Sequence, residues 1–325
     1  MIYLNDGHIR DIGMNWRHLT GIIEDVVRTS DRGECVHPLK TYLRFHDPAN
    51  RIIAMPAFVG GSTELAGIKW IAGFPGNGRY GLPRAHNTII LNDTVTGRPE
   101  AFIHSGLLNG LRAAAVSGVM LHAYMEARRS ADLRLGIIGW GPIGRLHLDM
   151  CADLFGSRLK QVILYDLKGI ERSTVPEHLR AITAIAEDWR ELYRNSNVTA
   201  TCTVSAERYI DEVPPAGALL LNVSLRDYKP ESVARIKSVI VDDWQEVCRE
   251  NTDIQQLHHQ FGLHESDVRT LADVVCREGL AEIAEEAPVF FNPMGLGVFD
   301  IAIAGYYLRQ AGQLGHGVLL EDSGD

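Results

Sequence analysis

The stretch from Leu133 to Asp166 constrains this chain more than any other. An apolar run, Leu135-Gly136-Ile137-Ile138, enters the turn Gly139-Trp140-Gly141-Pro142-Ile143-Gly144, and a second apolar run, Gln161-Val162-Ile163-Leu164-Tyr165, ends in Asp166. Strand, glycine turn, helix and acid-terminated strand make up the dinucleotide-binding fingerprint in its structural setting. Gly139 permits the tight turn, Gly141 lets the backbone approach a pyrophosphate, and Gly144 allows the helix to pack close on the strand. Pro142 and Ile143 open that helix, whose N-terminal amides face the phosphates. Asp166 lies 22 residues beyond Gly144, where an acid hydrogen-bonds a ribose diol and repels a 2'-phosphate, so the pattern favours NAD over NADP.

After Asp166 the alternation continues as in a doubly wound sheet. Residues 174–193 read as a helix, and 198–204, 218–223, 239–242 and 289–291 as strands, giving six strands and a complete Rossmann domain. Residues 248–286 read as mostly polar helix with no assigned place, and 301–310 as a final helix. Ahead of the fingerprint, Leu19, Ile22, Ile23, Val26 and Val27 space like one face of a helix. Short runs at 41–45, 51–59, 65–71, 88–92 and 101–104 then read as an antiparallel sheet, with turn chemistry at 47–50 and 92–97. Residues 110–128 form a helix leading into the fingerprint. The expected fold class is α/β, a Rossmann doubly wound sheet plus an α+β domain. The expected divisions are 1–130, 131–300 and a helix at 301–325 that packs back on the first domain.

Composition narrows the partners. A formal charge of -9 with no basic run argues against nucleic acid. Five cysteines without a C-x-x-C pair suit reduced thiols in the cytoplasm. The chain opens without a signal-peptide pattern and has no apolar run long enough to span a bilayer. Thirteen histidines show no ligand spacing that points to a metal, and there is no G-x-S-x-G elbow. The acidic end, 321–325, reads as a frayed tail.

Against that acidic background, Lys40, Arg44, Lys69, Arg79, Arg84 and Arg112 gather in the first domain, in a scatter that fits a carboxylate pocket. Lys69 stands inside the apolar run Ala66-Gly67-Ile68-Lys69-Trp70-Ile71, where a strand buries the amine. It is then either one half of a structural ion pair or a functional group. Arg112 poses the same choice in an apolar helix start. Two acids, Asp227 and Asp300, are placed at carboxyl ends of strands, where ligands of open α/β sheets bind. Either could activate water if burial raises its pKa, and helix capping or a helix-start charge is the structural alternative. Asp242-Asp243 reads as structural. Cofactor contacts are assigned to Arg112, Cys202, Thr203, Val204, Ser224, Met294 and Gly295 in addition to the fingerprint residues.

Gly67 to Trp70, Leu91 to Pro99, Leu111 to Ala115 and the fingerprint together resemble the ornithine cyclodeaminase and mu-crystallin family over nearly the whole chain. Within it, His37 to Arg44, Arg51 to Pro56, Val241 to Trp244 and Asn292 to Gly295 are similar to the 2,3-diaminopropionate-forming dehydrogenases of siderophore and peptide-antibiotic pathways. The resemblance implies a homodimer that uses NAD. Its first domain binds substrate and supplies the dimer contact, and its last helix returns to that domain. Residues matching Arg44, Lys69 and Arg112 grip the substrate carboxylate in this family, and the acid matching Asp227 handles water or the leaving amine. The subgroup oxidises N-(2-amino-2-carboxyethyl)-L-glutamate, a tricarboxylate, to 2-oxoglutarate and 2,3-diaminopropionate. The chain departs from the usual pattern at Ala113 (threonine in the family), and at His86 and Phe299 (serine and an acid in the subgroup).

The expected chemistry is oxidation of a secondary amine to a ketimine, then addition of water activated by Asp227 or Asp300, with Lys69 able to shuttle a proton. Two other readings stay open: ornithine or lysine cyclodeamination or simple amino-acid dehydrogenation on the same scaffold, and a nucleotide-gated small-ligand binding protein without turnover.

Overall fold

The computed structural model describes residues 1–128 and 132–321, so the acidic end beyond Glu321 lies outside the described residues. Its contacts form two compact units, one of Met1–Arg112 with the chain from Gly295 onward, the other of Ala113–Met294. The divisions read from sequence fell near 130 and 300. The contacts divide the chain inside the helix Gly106–Ala127 and just ahead of the helix Gly297–Leu314. Residues 111–116, Leu-Arg-Ala-Ala-Ala-Val, hold no turn signal, so sequence alone has nothing to mark a division at Arg112.

The first unit is built on a sheet of eight strands among the described residues. Arg51–Val59 and Leu65–Gly73 pair along their full length, followed by Ala85–Asn92 and Pro99–His104, all antiparallel. The turns are made as their residues demand: Ala49 N donates to Asp47 Oδ1 at 2.9 Å, and Thr96 N donates to Asp93 Oδ1 at 2.7 Å. The expected purely antiparallel sheet is corrected at one edge. Ile2–Asn5, too short to register as a periodic run, lies parallel to Pro99–His104 and antiparallel to Val318–Leu319.

Strand alternation gives this sheet two unlike faces. Met55, Lys69, Ile89 and Ile103 stand in register on one face and are buried. The helix Gly297–Leu314 packs on the strands that carry Met55 and Lys69. The helix Trp16–Asp31 also lies against it, burying Trp16, Leu19, Ile23, Val26 and Val27, and starts at Asn15, whose side chain accepts from His18 N. The opposite sheet face carries Leu43 and Trp70, which remain 50% and 44% exposed. The last helix runs from Gly297 to Leu314, longer than the 301–310 expected, so Asp300 sits in its first turn and not at a strand end.

In the second unit the strands are β1 (Leu133–Ile138), β2 (Leu159–Tyr165), β3 (Thr183–Ile185), β4 (Val198–Thr201), β5 (Leu219–Asn222), β6 (Ser238–Val241), β7 (Arg269–Thr270) and β8 (Val289–Asn292). Their order across the sheet is β3-β2-β1-β4-β5-β8-β6-β7, and every neighbouring pair is parallel. This is the doubly wound Rossmann arrangement, with the order reversing between β1 and β4. All residues of β4, β5, β6 and β8 are buried, as a sheet covered on both faces requires.

Two expectations are corrected here. The sheet has eight described strands where six were read, because β3 and β7 are three and two residues long. Residues 174–193 are not one helix. Pro176 interrupts the run, short 3-10 turns occupy Arg172–Thr174 and Glu177–Ile182, β3 follows, and a helix begins only at Trp189 behind the Asp188 cap. The polar segment 248–286 resolves into the helices Asp253–Phe261 and Leu271–Cys276 with β7 between them. No described helix is long and apolar enough to cross a membrane.

Candidate active site

The glycine turn follows β1 directly. Gly139 has φ +100°, and a Cβ there would lie 2.7 Å from Cys202 O. A Cβ on Gly144 would lie 2.2 Å from Gly139 O, so this crossing admits only glycine. Gly141 caps the helix Pro142–Phe155 without any side-chain hydrogen bond, and a Cβ there would meet nothing within 4 Å. An open approach to uncapped amides is what a pyrophosphate needs, so these residues fit a dinucleotide. Asp166 Oδ2 accepts from Trp140 N at 2.8 Å and Oδ1 from Lys168 N at 2.9 Å, which ties the end of β2 to the turn. Carboxylate oxygens accept more than one bond each, so a ribose diol can still be held there. Among the remaining cofactor assignments, Val204 is exposed and Met294 N donates to Asp242 Oδ1 at 2.9 Å. Cys202 N donates to Ile138 O at 2.8 Å.

Asp227 stands in the loop after β5 and is buried. Thr203 Oγ1 and Ser224 Oγ both donate to its carboxylate, so two hydroxyls assigned to the cofactor from sequence serve this acid. Burial pushes the carboxyl up to about 6. Thr203 opposes the shift and the like charge of Asp253 adds to it. Asp243 caps the helix Trp244–Val247, and Asp242 Oδ1 accepts from Asp243 N at 3.0 Å and Met294 N at 2.9 Å.

In the first unit, Lys69 and Asp300 are both buried, with Nζ 2.9 Å from Oδ1. Lys69 Nζ also donates to Asn109 Oδ1 at 2.7 Å, and Arg112 Nε donates to the same Asp300 oxygen at 3.1 Å. Two cations thus share one carboxylate. Burial lowers the Lys69 pKa to about 8; Arg112 and Lys40 act in the same direction, and Asp300 opposes them. For Asp300, burial favours the neutral form, but the adjacent charges of Arg112 and Lys69 outweigh it and hold the carboxyl below its usual value. The condition set for Asp300 as a water-activating base, a raised pKa, is therefore not met; Asp227 meets it.

The other cations divide. Lys40 is buried and close enough to weaken proton binding at Lys69. Arg44 instead stacks over the Tyr42 ring at 4.9 Å, with Arg51 over the same ring at 5.9 Å. Arg84 lies beside Arg51; burial and that like charge both lower its pKa. Arg79 is exposed in a 3-10 turn. The unit therefore holds an inner cation group around Asp300 and an outer one around Tyr42. Asn109 was not singled out from sequence, although its place three residues before Arg112, one helical turn away, was a usable signal. Gly295, assigned to the cofactor, lies against the Arg112 guanidinium: a Cβ there would be 2.1 Å from Nη1. Among the described residues, no group of three or more His, Cys, Asp or Glu side chains is gathered as metal ligands.

The parallel sheet, its glycine turn and the acid at the end of β2 define an α/β protein of the Rossmann class. A model of the ornithine cyclodeaminase/mu-crystallin family matches residues 10–311, and the chain belongs to that family. The N-((2S)-2-amino-2-carboxyethyl)-L-glutamate dehydrogenase of Staphylococcus aureus (strain NCTC 8325 / PS 47) is 33% identical in an alignment that covers 98% of each chain. Two solved structures share the fold. Thermococcus litoralis Δ(1)-pyrroline-2-carboxylate reductase, in complex with NADH and L-proline, has a TM-score of 0.85 at 21% identity, covering 98% of this chain and 100% of that one. An archaeal alanine dehydrogenase dimer with bound NAD has a TM-score of 0.81 at 21% identity, covering 99% of each.

Proposed function

We propose that this chain is an NAD-dependent oxidoreductase acting on the CH–NH bond of an N-substituted amino acid. The substrate is N-(2-amino-2-carboxyethyl)-L-glutamate or a close analogue, and the products are 2-oxoglutarate and 2,3-diaminopropionate. The observation that carries this reading is that buried Lys69 and half-buried Arg112 share a single carboxylate, Asp300, which leaves one positive charge in excess for a substrate carboxylate. The outer group of Arg44, Arg51 and Arg84 answers the further carboxylates of a tricarboxylate. The full-length similarity to the Staphylococcus aureus dehydrogenase supports the same substrate class.

Lys69, protonated below about pH 8, and Arg112 hold the carboxylate and fix the neighbouring carbon. Gly139, Gly141 and Gly144 with the helix start hold the pyrophosphate, and Asp166 the ribose. Bound NAD supplies the two-electron oxidant for the C–H bond at that carbon. The oxidised substrate is a ketimine. Asp227, with a pKa of about 6, is ionised at neutral pH yet near its switching point, so it can take a proton from the adding water and return it to the leaving amine. Asp300, held ionised, orients Lys69 and Arg112.

The chain acts as a homodimer through the uncovered face of the first unit's sheet. Leu43 and Trp70 stand on that face, where water-exposed apolar side chains fit a second copy.

The test incubates pure protein and NAD with the glutamate–diaminopropionate adduct, ornithine, lysine and alanine, following reduced nicotinamide and products. Net NADH with equal 2-oxoglutarate from the adduct alone is the expected result. Proline from ornithine without net NADH would make it a cyclodeaminase. Tight binding with no turnover of any of the four would make it a binding protein.

A further inference from the structure

Asp253 is a fully buried acid at the start of the helix Asp253–Phe261. Its Oδ1 accepts from Arg208 Nε at 2.6 Å, and its Oδ2 accepts from Asn222 Nδ2 at 2.9 Å and from Tyr228 N at 3.2 Å. Its own N–H donates to Leu225 O at 2.8 Å, while Leu225 N donates to Asn222 Oδ1 at 3.1 Å. Leu225 is thereby held at both backbone polar groups in a left-handed conformation, φ +66°, which a leucine rarely adopts. Such a conformation costs about 1 kcal/mol or more and persists only where its surroundings over-determine it. Two residues on is Asp227, whose carbonyl accepts from Tyr209 N at 3.0 Å and Ile210 N at 2.9 Å.

A buried ion pair is poor value as stabilisation, because desolvation offsets most of the attraction. The pair Asp253 and Arg208 is better explained by the place it holds. We propose that Asp253 is the positioning residue for Asp227: it locks the loop 223–228 in the turn that presents the Asp227 carboxylate to Thr203 and Ser224. This rests on reading Asp227 as the acid–base group. Asp253 also sets the charge Asp227 feels. The groups facing Asp227 are Asp253 and Arg226, the hydroxyls of Thr201, Thr203 and Ser224, and the side chains of Cys202, Tyr209 and Tyr228. Among the carboxylates, Asp253 is the like charge that disfavours ionisation of Asp227.

The experiment compares Asp253→Asn, Asp253→Ala and Asp227→Asn with the parent in kcat against pH, NAD affinity and thermal unfolding. Asp253→Asn keeps the shape and an acceptor for Asn222 Nδ2 and Tyr228 N but removes the charge and the acceptor for Arg208 Nε. Burial raises the Asp253 carboxyl to about 6 as well, so the two acids titrate as an interacting pair. The acid limb of the Asp253→Asn kcat profile should move down by up to about one pH unit, with NAD affinity within about twofold. Asp253→Ala frees the loop, and kcat should fall on the order of a hundredfold with NAD still bound. If Asp227→Asn is inactive but Asp253→Asn keeps the parental pH profile, Asp253 is only structural and the inference fails alone. Full turnover by Asp227→Asn overturns the acid–base reading and this inference with it. Should Asp253→Ala not fold, the Asp253→Asn profile decides.

Discussion

Lys69 Nζ lies 2.9 Å from Asp300 Oδ1, and each side chain is 1% exposed. The two residues are 231 positions apart in the chain, and the helix Gly297–Leu314 packing on the sheet brings them together. Removing one partner of a buried pair strands the other charge. Asp300→Ala should therefore lower unfolding free energy by about 3–5 kcal/mol, read from guanidinium chloride titration. Adding Lys69→Met should recover part of it. A single-variant loss below about 1 kcal/mol would show that water already solvates the pair.

Lys69→Met alone removes a grip on the substrate carboxylate and leaves the glycine turn untouched. Turnover should disappear while NAD still binds, measured by fluorescence titration. Undiminished turnover would remove Lys69 from the mechanism.

The two shifted groups set a pH window. The kcat/KM profile should rise through about 6 as Asp227 ionises and fall through about 8 as Lys69 loses its proton. Stability follows the same Asp227 shift. Its folded pKa, about 6, is above the ordinary 3.8, so the folded state binds the proton more tightly. The stabilisation this gives is complete below pH 3.8 and lost as pH rises through 6. Asp227→Asn, which cannot ionise, should match the parent near the acid end and exceed it at pH 7 by on the order of 3 kcal/mol. Equal melting temperatures at both pH values would contradict the raised pKa.

Gly295 has φ +79°, and its missing side chain leaves room for the Arg112 guanidinium. Gly295→Ala should push Arg112 off Asp300 and raise KM for the substrate by about tenfold or more, checked by steady-state kinetics at saturating NAD. An unchanged KM would mean that Arg112 does not hold substrate.

Gly144→Ala should weaken NAD binding, because a Cβ 2.2 Å from Gly139 O must displace the turn or the helix. Calorimetric titration with NAD reads this directly. Parental affinity in that variant would place the nucleotide elsewhere.

Much of the architecture was legible because periodicity reports burial. The runs at 51–59 and 65–71 were legible as strands, and the helix from Trp16 showed its inward face in its spacing. β3 and β7 did not, since two or three residues are too few for a pattern, and they exist by pairing with neighbours already in place. Among the site residues, Lys69 was conspicuous as a charge inside an apolar run. Asp253 and Asn222 were not, since nothing local marks a polar residue as buried.

The nucleotide-binding turn and the burial of Lys69 were written in the chain itself, because the spacing of glycines and a charge inside an apolar run are local features. Only the tertiary structure decided what each charge faces. It gave Asp300 to Lys69 and Arg112, and Thr203 and Ser224 to Asp227, separating two acids that looked equivalent in the chain. A carboxylate's pKa is set by the charges and hydroxyls packed against it and by the water it has lost, and those neighbours arrive from distant parts of the sequence.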